Sequence, residues 1–187
     1  AVLNQDNPYW KRMKEKAVGK VYTYGINEAA CDFRAVNIVK APDHVEYDIK
    51  GKTSEAEMHI YVPIPGTFTV YNSLAAAVTA YLLGIKKEWI QEGMRRVFVP
   101  GKAEVVPTGR DFSVLIDYAH NPDSFINIIT TVKEYAKRTV FLFGCGGDRN
   151  RPRRLMGETA GKYADFSIIT SDNPRTEDPA SIVKDLE

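Results

Sequence analysis

A chain of 187 residues with 44% hydrophobic and 26% charged residues has enough apolar material for a real core, in one large domain or parts of two. A formal net charge of +1, with no basic stripe interleaved with aromatics, gives no support to a nucleic-acid partner, and no apolar run approaches the ~20 residues of a membrane span. Cys31 and Cys145 form neither a disulfide framework nor a metal-ligand cluster, so no metal site is expected; with no visible signal peptide, the protein reads as cytoplasmic.

In chain order, Ala1 to Leu3 reads as a strand, Asn4-Gln5-Asp6-Asn7-Pro8 as a polar loop, Tyr9 to Ala17 as a helix and Lys20 to Tyr24 as a second strand. From Asp32 the apolar period becomes two. Val45, Tyr47 and Ile49 alternate with polar residues, as do Ala56, Met58, Ile60 and Val62, which predicts two half-buried antiparallel strands joined by a turn at Gly51. His44 and His59 in this region have no ligand spacing and are expected to face solvent. A helix follows Pro65-Gly66, with Leu74, Ala75, Val78, Tyr81 and Leu82 on one face and Gly84 as its stop. A shorter helix from Lys87 to Val97 leads to Pro100-Gly101, the expected domain boundary. There is no initiator Met, and the last amphipathic helix (Ile182, Val183, Leu186) reaches Glu187 without a stop signal, so the chain is expected to be part of something longer.

Beyond the boundary, apolar strands begin at Phe112, Thr139 and Phe166, an even spacing of 27 residues, each followed by a loop and a helical pattern. The first of these helices carries Phe125, Ile128, Ile129, Val132, Tyr135 and Ala136 on one face. This is the rhythm of βαβ units, and it predicts a parallel sheet with all three loops along one edge, where open α/β sheets bind ligands.

Those loops hold the candidate chemistry. Asp117 and His120 either bond a ribose hydroxyl and a phosphate or pair as a loop carboxylate with a neighbouring imidazole; the residues alone leave both open. Gly144-Cys145-Gly146-Gly147-Asp148-Arg149-Asn150-Arg151 offers backbone N–H groups to an anion, although Arg149 stands where a dinucleotide fingerprint needs glycine. Cys145 has no adjoining base and reads as a small buried thiol. The third loop, Thr170 to Asp178, ends a run (Phe166 to Ile169) that reads as a buried strand. It offers a carboxylate (Asp172), an amide (Asn173), a guanidinium (Arg175) and unpaired N–H groups at the next helix start, a set suited to a zwitterion; an ordinary turn before a helix at Pro179 is the alternative. Gly51-Lys52-Thr53 imitates the tail of a phosphate-binding loop, but Glu46 stands where the motif requires glycine, so no nucleotide is expected there.

With these residues set out, the chain resembles the Mur ligases. Asn4-Gln5-Asp6-Asn7-Pro8 resembles the family's N-x-D-x-P segment, Pro65-Gly66-Thr67-Phe68 with Val70 to Ala76 its central-domain helix start, and Gly101-Lys102-Ala103-Glu104 its G-R-x-E hinge. The loops at Asp117, Gly144 and Asp172 follow in family order; folylpolyglutamate synthetases share the first, whereas GCGGDR with DNPR is more specific. The resemblance implies an α/β fold of two partial domains. Residues 1–101 would be the C-terminal half of the central ATP-binding domain, with its antiparallel region, and 102–187 the first three βα units of a Rossmann-like C-terminal domain.

It also implies an ATP- and Mg2+-dependent amide ligase of peptidoglycan synthesis acting on UDP-MurNAc-L-Ala-D-Glu through an acyl phosphate, with a monomeric parent and no nucleic-acid or membrane partner. Asn72 would bond the adenine edge, Lys102 would neutralise phosphate, and Asp117 and His120 would hold ribose and phosphate. Arg149, Asp172, Asn173, Pro174 and Arg175 would receive the incoming amino acid, and arginine at the end of D-N-P-R goes with meso-diaminopimelate. The alternatives are a lysine-adding relative, a folylpolyglutamate synthetase-like ligase and a non-catalytic nucleotide- or amino-acid-binding module. Lys102 departs from the family arginine and lacks its planar fork. The phosphate-binding loop, magnesium ligands, carbamylated lysine and UDP-sugar domain would precede Ala1, and further acceptor contacts would follow Glu187, so the fragment alone is expected to be inactive.

Overall fold

The alternation at Val45, Tyr47 and Ile49 becomes an inner strand of a five-stranded sheet in the computed structural model, which describes residues 1–27, 30–149 and 153–187. The chain divides into two compact units, Ala1–Pro100 and Gly101–Glu187. In the first, the sheet runs in chain order through β1 (Val2–Asn4), β2 (Tyr22–Gly25), β3 (Phe33–Lys40), β4 (Val45–Gly51) and β5 (Met58–Val62). The β1–β2 and β2–β3 pairs are parallel, and the last two pairs are antiparallel. Helices α1 (Trp10–Lys16), α2 (Thr67–Leu82) and α3 (Lys87–Arg95) complete the unit.

Period two dictates the core. Val45, Tyr47 and Ile49 point one way with Ile60 and Val62 of β5, and all are buried with Val70, Leu74, Ala77 and Val78 of α2. Tyr47 is fully buried, so its hydroxyl needs a partner and finds Ser73 Oγ at 2.7 Å; burial pushes its pKa well up. Ser73 Oγ also bonds the Thr69 carbonyl at 2.7 Å. Tyr47→Phe is therefore expected to cost about 1 kcal/mol, the worth of one buried hydrogen bond, read as a lower urea midpoint with an unchanged m-value.

Two expectations for this unit need correction. Ala56 lies in a 3-10 turn, Ser54–Ala56, so β4 and β5 are joined by a longer connection than a turn at Gly51. Alternation alone cannot separate a strand residue from a buried turn residue. The turn folds tightly back, since a Cβ on Gly51 would stand 2.5 Å from the Ala56 Cβ. His59 is exposed, but the ring of His44 stacks on Tyr61 at 4.8 Å and is only partly open. Lys52 of the false phosphate-loop tail pairs with Asp32.

In the second unit, β6 (Glu104–Val106) and β7 (Val114–Ile116) form an antiparallel hairpin. Then come α4 (Pro122–Lys133), β8 (Val140–Phe143), α5 (Arg153–Tyr163), β9 (Phe166–Ile169) and α6 (Pro179–Leu186), with β8 and β9 parallel in register Val140 to Phe166. Three strand–helix units are present, as the spacing predicts, but they do not share one hydrogen-bonded sheet. Among the described residues β7 takes its ladder from β6 alone. Even spacing reveals the length of each crossover and is silent about which strand edges meet.

The α4 start is well specified: Asn121 and Ser124 form a reciprocal capping box with Pro122 at the first helical position. Phe125 then packs edge-on against Phe141 at 4.8 Å and Phe143 at 5.0 Å. Tyr135, predicted on the helix face, lies past the helix end and is exposed. The apolar run of β9 is not fully buried either: Phe166 and Ile168, like Val140 and Leu142 beside them, are at least 40% exposed. An unbroken apolar run suggests burial on both faces; here Phe125 of α4 packs on the Phe143 side and the other is open.

Candidate functional site: the paired loops after β8 and β9

The loops leaving β8 and β9 are locked together by the absence of side chains at two positions. A Cβ on Gly144 would stand 2.5 Å from the Thr170 carbonyl oxygen, and one on Gly147 would stand 1.9 Å from the Pro174 carbonyl oxygen. With hydrogen there, the backbones meet. Gly147 N donates to the Asn173 carbonyl at 2.9 Å, and Arg175 Nη1 donates to the Gly147 carbonyl at 3.1 Å. The Asp148 carboxylate accepts from Thr176 Oγ1 at 2.7 Å and Thr176 N at 3.2 Å, while Asp148 N donates to Glu177 Oε1.

This stitching holds two residues in the left-handed region, Asp148 at φ 54° and Arg175 at φ 52°. For residues with a Cβ that costs about 1–2 kcal/mol each, and it persists only where the surroundings over-determine it. Arg149 follows Asp148 directly and is exposed; Arg175 and Asp172 are exposed on the facing loop, beside Asn173 and the half-buried Pro174. The five predicted acceptor residues thus fall on two interlocked loops. Asn150 and Arg151 lie outside the described residues. The helix start behind the loop is less available than expected, because the Asp178 carboxylate accepts from Ser181 N at 2.9 Å.

Carboxylates stabilise this rim. Glu177 is held below the usual carboxylate range, first by Arg153 and then by the Asp148 amide; Asp178 is lowered by Ser181, and Asp165, at the opposite end of the strands where β9 begins, by Lys133. Each folded pKa lies below its unfolded value, so the stabilisation is complete above about pH 4.5 and is lost as pH falls through the depressed values. Urea midpoints taken from about pH 6 to about pH 3 are expected to fall toward the acid end, and Glu177→Gln to flatten part of that slope.

The Asp117 loop is built differently. Its carboxylate is nearly buried and already engaged: Oδ1 accepts from Ala119 N at 2.8 Å, and Oδ2 from Ala103 N at 2.9 Å with Lys102 Nζ at 3.2 Å. Lys102 also lies 5.3 Å from the Tyr118 ring centre. His120 Nδ1 sits 3.1 Å from the Tyr118 carbonyl. Lys102 and Asp117 are thus brought together at the hinge segment, where Gly101 and Ala103 both have positive φ.

In the first unit Asn72 is exposed on α2. Its neighbour Tyr71 donates to Asp6 Oδ2 at 2.9 Å, and that oxygen also accepts from Ile26 N at 2.7 Å and Asn27 N at 3.1 Å. Asp6 therefore anchors the α2 turn that carries Asn72. In the sequence Asp6, Asp148 and Glu177 stand inside motifs with no role of their own, and Arg153 stands in none. The signal was faint, since each is an ordinary loop or helix-start charge until its partner across the fold is seen. No group of His, Cys, Asp or Glu able to hold a metal gathers among the described residues, so the Mg2+ implied by the resemblance finds no donor set among them.

Two segments match one enzyme family. Residues 1–80 match the Mur ligase middle domain, and residues 101–187 match the Mur ligase glutamate ligase domain. The chain belongs to the Mur ligase family. Among curated relatives, the UDP-N-acetylmuramoyl-L-alanyl-D-glutamate–2,6-diaminopimelate ligase of Caldanaerobacter subterraneus subsp. tengcongensis is 47% identical, covering 100% of this chain and 39% of its own length. The ligase of the same name from Clostridioides difficile is 43% identical over 99% of this chain and 39% of its own. A solved structure of that name superposes with a TM-score of 0.62 at 29% identity, covering 99% of this chain and 39% of the other. The chain therefore spans about two fifths of the length of these relatives.

Proposed function

We propose that the chain is part of an ATP-dependent, Mg2+-requiring ligase of peptidoglycan-precursor synthesis, cytoplasmic and monomeric, that joins meso-diaminopimelate to UDP-MurNAc-L-Ala-D-Glu. Residues 1–101 would contribute the end of the central ATP-binding domain, and residues 102–187 the start of the acceptor-binding domain. The D-glutamate side-chain carboxylate takes the γ-phosphate, the acceptor amine attacks the resulting acyl phosphate, and inorganic phosphate leaves. Within that scheme the present residues bind and orient. Asn72 reads the adenine edge, while Lys102, Asp117 and His120 hold the ribose and phosphates. Arg149 and Arg175 receive acceptor carboxylate, with Asp172, Asn173 and Pro174 shaping the seat.

The interlocked loops carry this reading. Arg149 and Arg175 fall on these two joined loops, and a guanidinium fork fits a carboxylate with two parallel N–H bonds. Meso-diaminopimelate has a distal carboxylate that lysine lacks, and the names of the relatives agree. At the hinge, nucleotide would have to compete with the bonds Asp117 already makes to Ala103 N and Lys102.

The test is phosphate release by the full-length protein with UDP-MurNAc-L-Ala-D-Glu and ATP, offered meso-diaminopimelate, L-lysine and L-glutamate in parallel. Turnover with meso-diaminopimelate is the expected result. Preference for lysine or glutamate would place the chain in another branch, and no turnover with any of them would support a non-catalytic binding module.

A further inference from the structure

Arg153 opens α5, and its guanidinium ties that helix to the loop after β9 and to α6, 24 and 32 residues further along the chain. Nη2 donates to Glu177 Oε1 at 2.7 Å, in the loop after β9, and Nη1 donates to Asp185 Oδ2 at 3.0 Å, near the end of α6. The side chain is only 11% exposed, and Nε is buried with no partner among the described residues. A guanidinium so withdrawn from water depends on its two carboxylates. α5 and α6 come close enough for this because Gly157 faces Leu186, whose carbonyl oxygen would stand 1.8 Å from an added Cβ.

Glu177 Oε1 does two things at once. It accepts from Arg153, and it accepts from the backbone amide of Asp148, the left-handed residue immediately before Arg149. Asp148 in turn bonds Thr176, immediately after the left-handed Arg175. The chain of contacts runs from a largely covered cation through one carboxylate to Asp148, which precedes Arg149, and on from Asp148 to Thr176, which follows Arg175.

The geometry points to Arg153 as a positioning residue: from behind the two loops, through Glu177, it fixes how Arg149 and Arg175 are presented to the acceptor. This rests on the proposal above that those two arginines receive the acceptor carboxylate. Arg153 itself acts through Glu177. Lysine cannot substitute fully, because a single ammonium lacks the fork that spans Glu177 and Asp185.

The experiment compares Arg153→Met, Arg153→Lys and Glu177→Gln in the full-length protein. It combines separate KM values for meso-diaminopimelate and ATP with hydrogen exchange of residues 144–149 and 172–178. Arg153→Met is expected to raise the acceptor KM on the order of tenfold to hundredfold while the ATP KM moves by less than about twofold. Exchange in both loop segments should quicken, Arg153→Lys should recover part of the acceptor affinity, and Glu177→Gln should show the same pattern more weakly. Equal changes in both KM values, or loop exchange unaltered in Arg153→Met, would overturn the proposal and leave Arg153 a purely structural residue. Should Arg153→Met fail to fold, Glu177→Gln decides by the same criteria. A wild-type protein with no activity toward meso-diaminopimelate would sink the acceptor reading, whereas the loop exchange of the variants would still decide whether Arg153 holds the loops.

Discussion

Arg175→Ala in the full-length protein is expected to lower kcat/KM for meso-diaminopimelate by about 2–4 kcal/mol, from tens to several hundredfold, with the ATP KM nearly unchanged. The reason lies in two losses at one site. A guanidinium has five N–H donors, and the bond to the Gly147 carbonyl at 3.1 Å uses one, so an acceptor carboxylate can be gripped while the loop contact is kept. Alanine removes the grip and unties the β9 loop from the β8 loop. It also leaves a Cβ residue at φ 52° without the contact that helps to hold it there. Arg175→Lys separates these effects, since it keeps the charge and loses the fork; an intermediate loss is expected. The preference for meso-diaminopimelate over lysine should shrink in both variants, because only the former offers a distal carboxylate. An unaltered acceptor KM in Arg175→Ala would remove Arg175 from the site.

The second large effect is expected from Gly147→Ala, a change of one methyl group. Its Cβ would stand 1.9 Å from the Pro174 carbonyl oxygen, and the obstacle is backbone that no rotamer can move aside. The loops must separate, which breaks the Gly147 N to Asn173 bond and carries Arg175 away from its anchor. Such overpacking costs about 1–3 kcal/mol or more in stability, and acceptor kcat/KM should fall with it. Gly146→Ala is the control. The nearest atom to an added Cβ there is 3.6 Å away, an ordinary contact, so that variant should lose little. A Gly147→Ala protein with the unfolding midpoint and acceptor KM of the wild type would show that the two loops need not touch.

Much of the molecule was legible in advance, and the reasons are local. Period two at Val45, Tyr47 and Ile49 specifies which side of a strand is apolar, and Asn121-Pro122 with Ser124 specifies where α4 starts. Pro100-Gly101 falls where the structure passes from one compact unit to the next. Chain-distant pairing was not legible. Nothing in the run from Val114 to Ile116 says that its ladder is made by β6, and nothing in Phe166 to Ile169 says that one face stays open. Asp117 shows the same division: its residue type announced a ligand for something, but only the fold supplied Ala103, Ala119 and Lys102.

The amino-acid order thus determined most of the inventory of this protein: the helices, the strands other than β3 (Phe33–Lys40) and β6 (Glu104–Val106), the glycines, and the arginines and carboxylates of the two loops. Tertiary structure decided how those charges are used, because Arg153 reaches Glu177 and Asp185 only when α5, the β9 loop and α6 meet. The physical reason is one of range. Dihedral preference and side-chain periodicity act over a few residues, whereas an ion pair or a backbone clash depends on distances between atoms that the chain itself holds many residues apart.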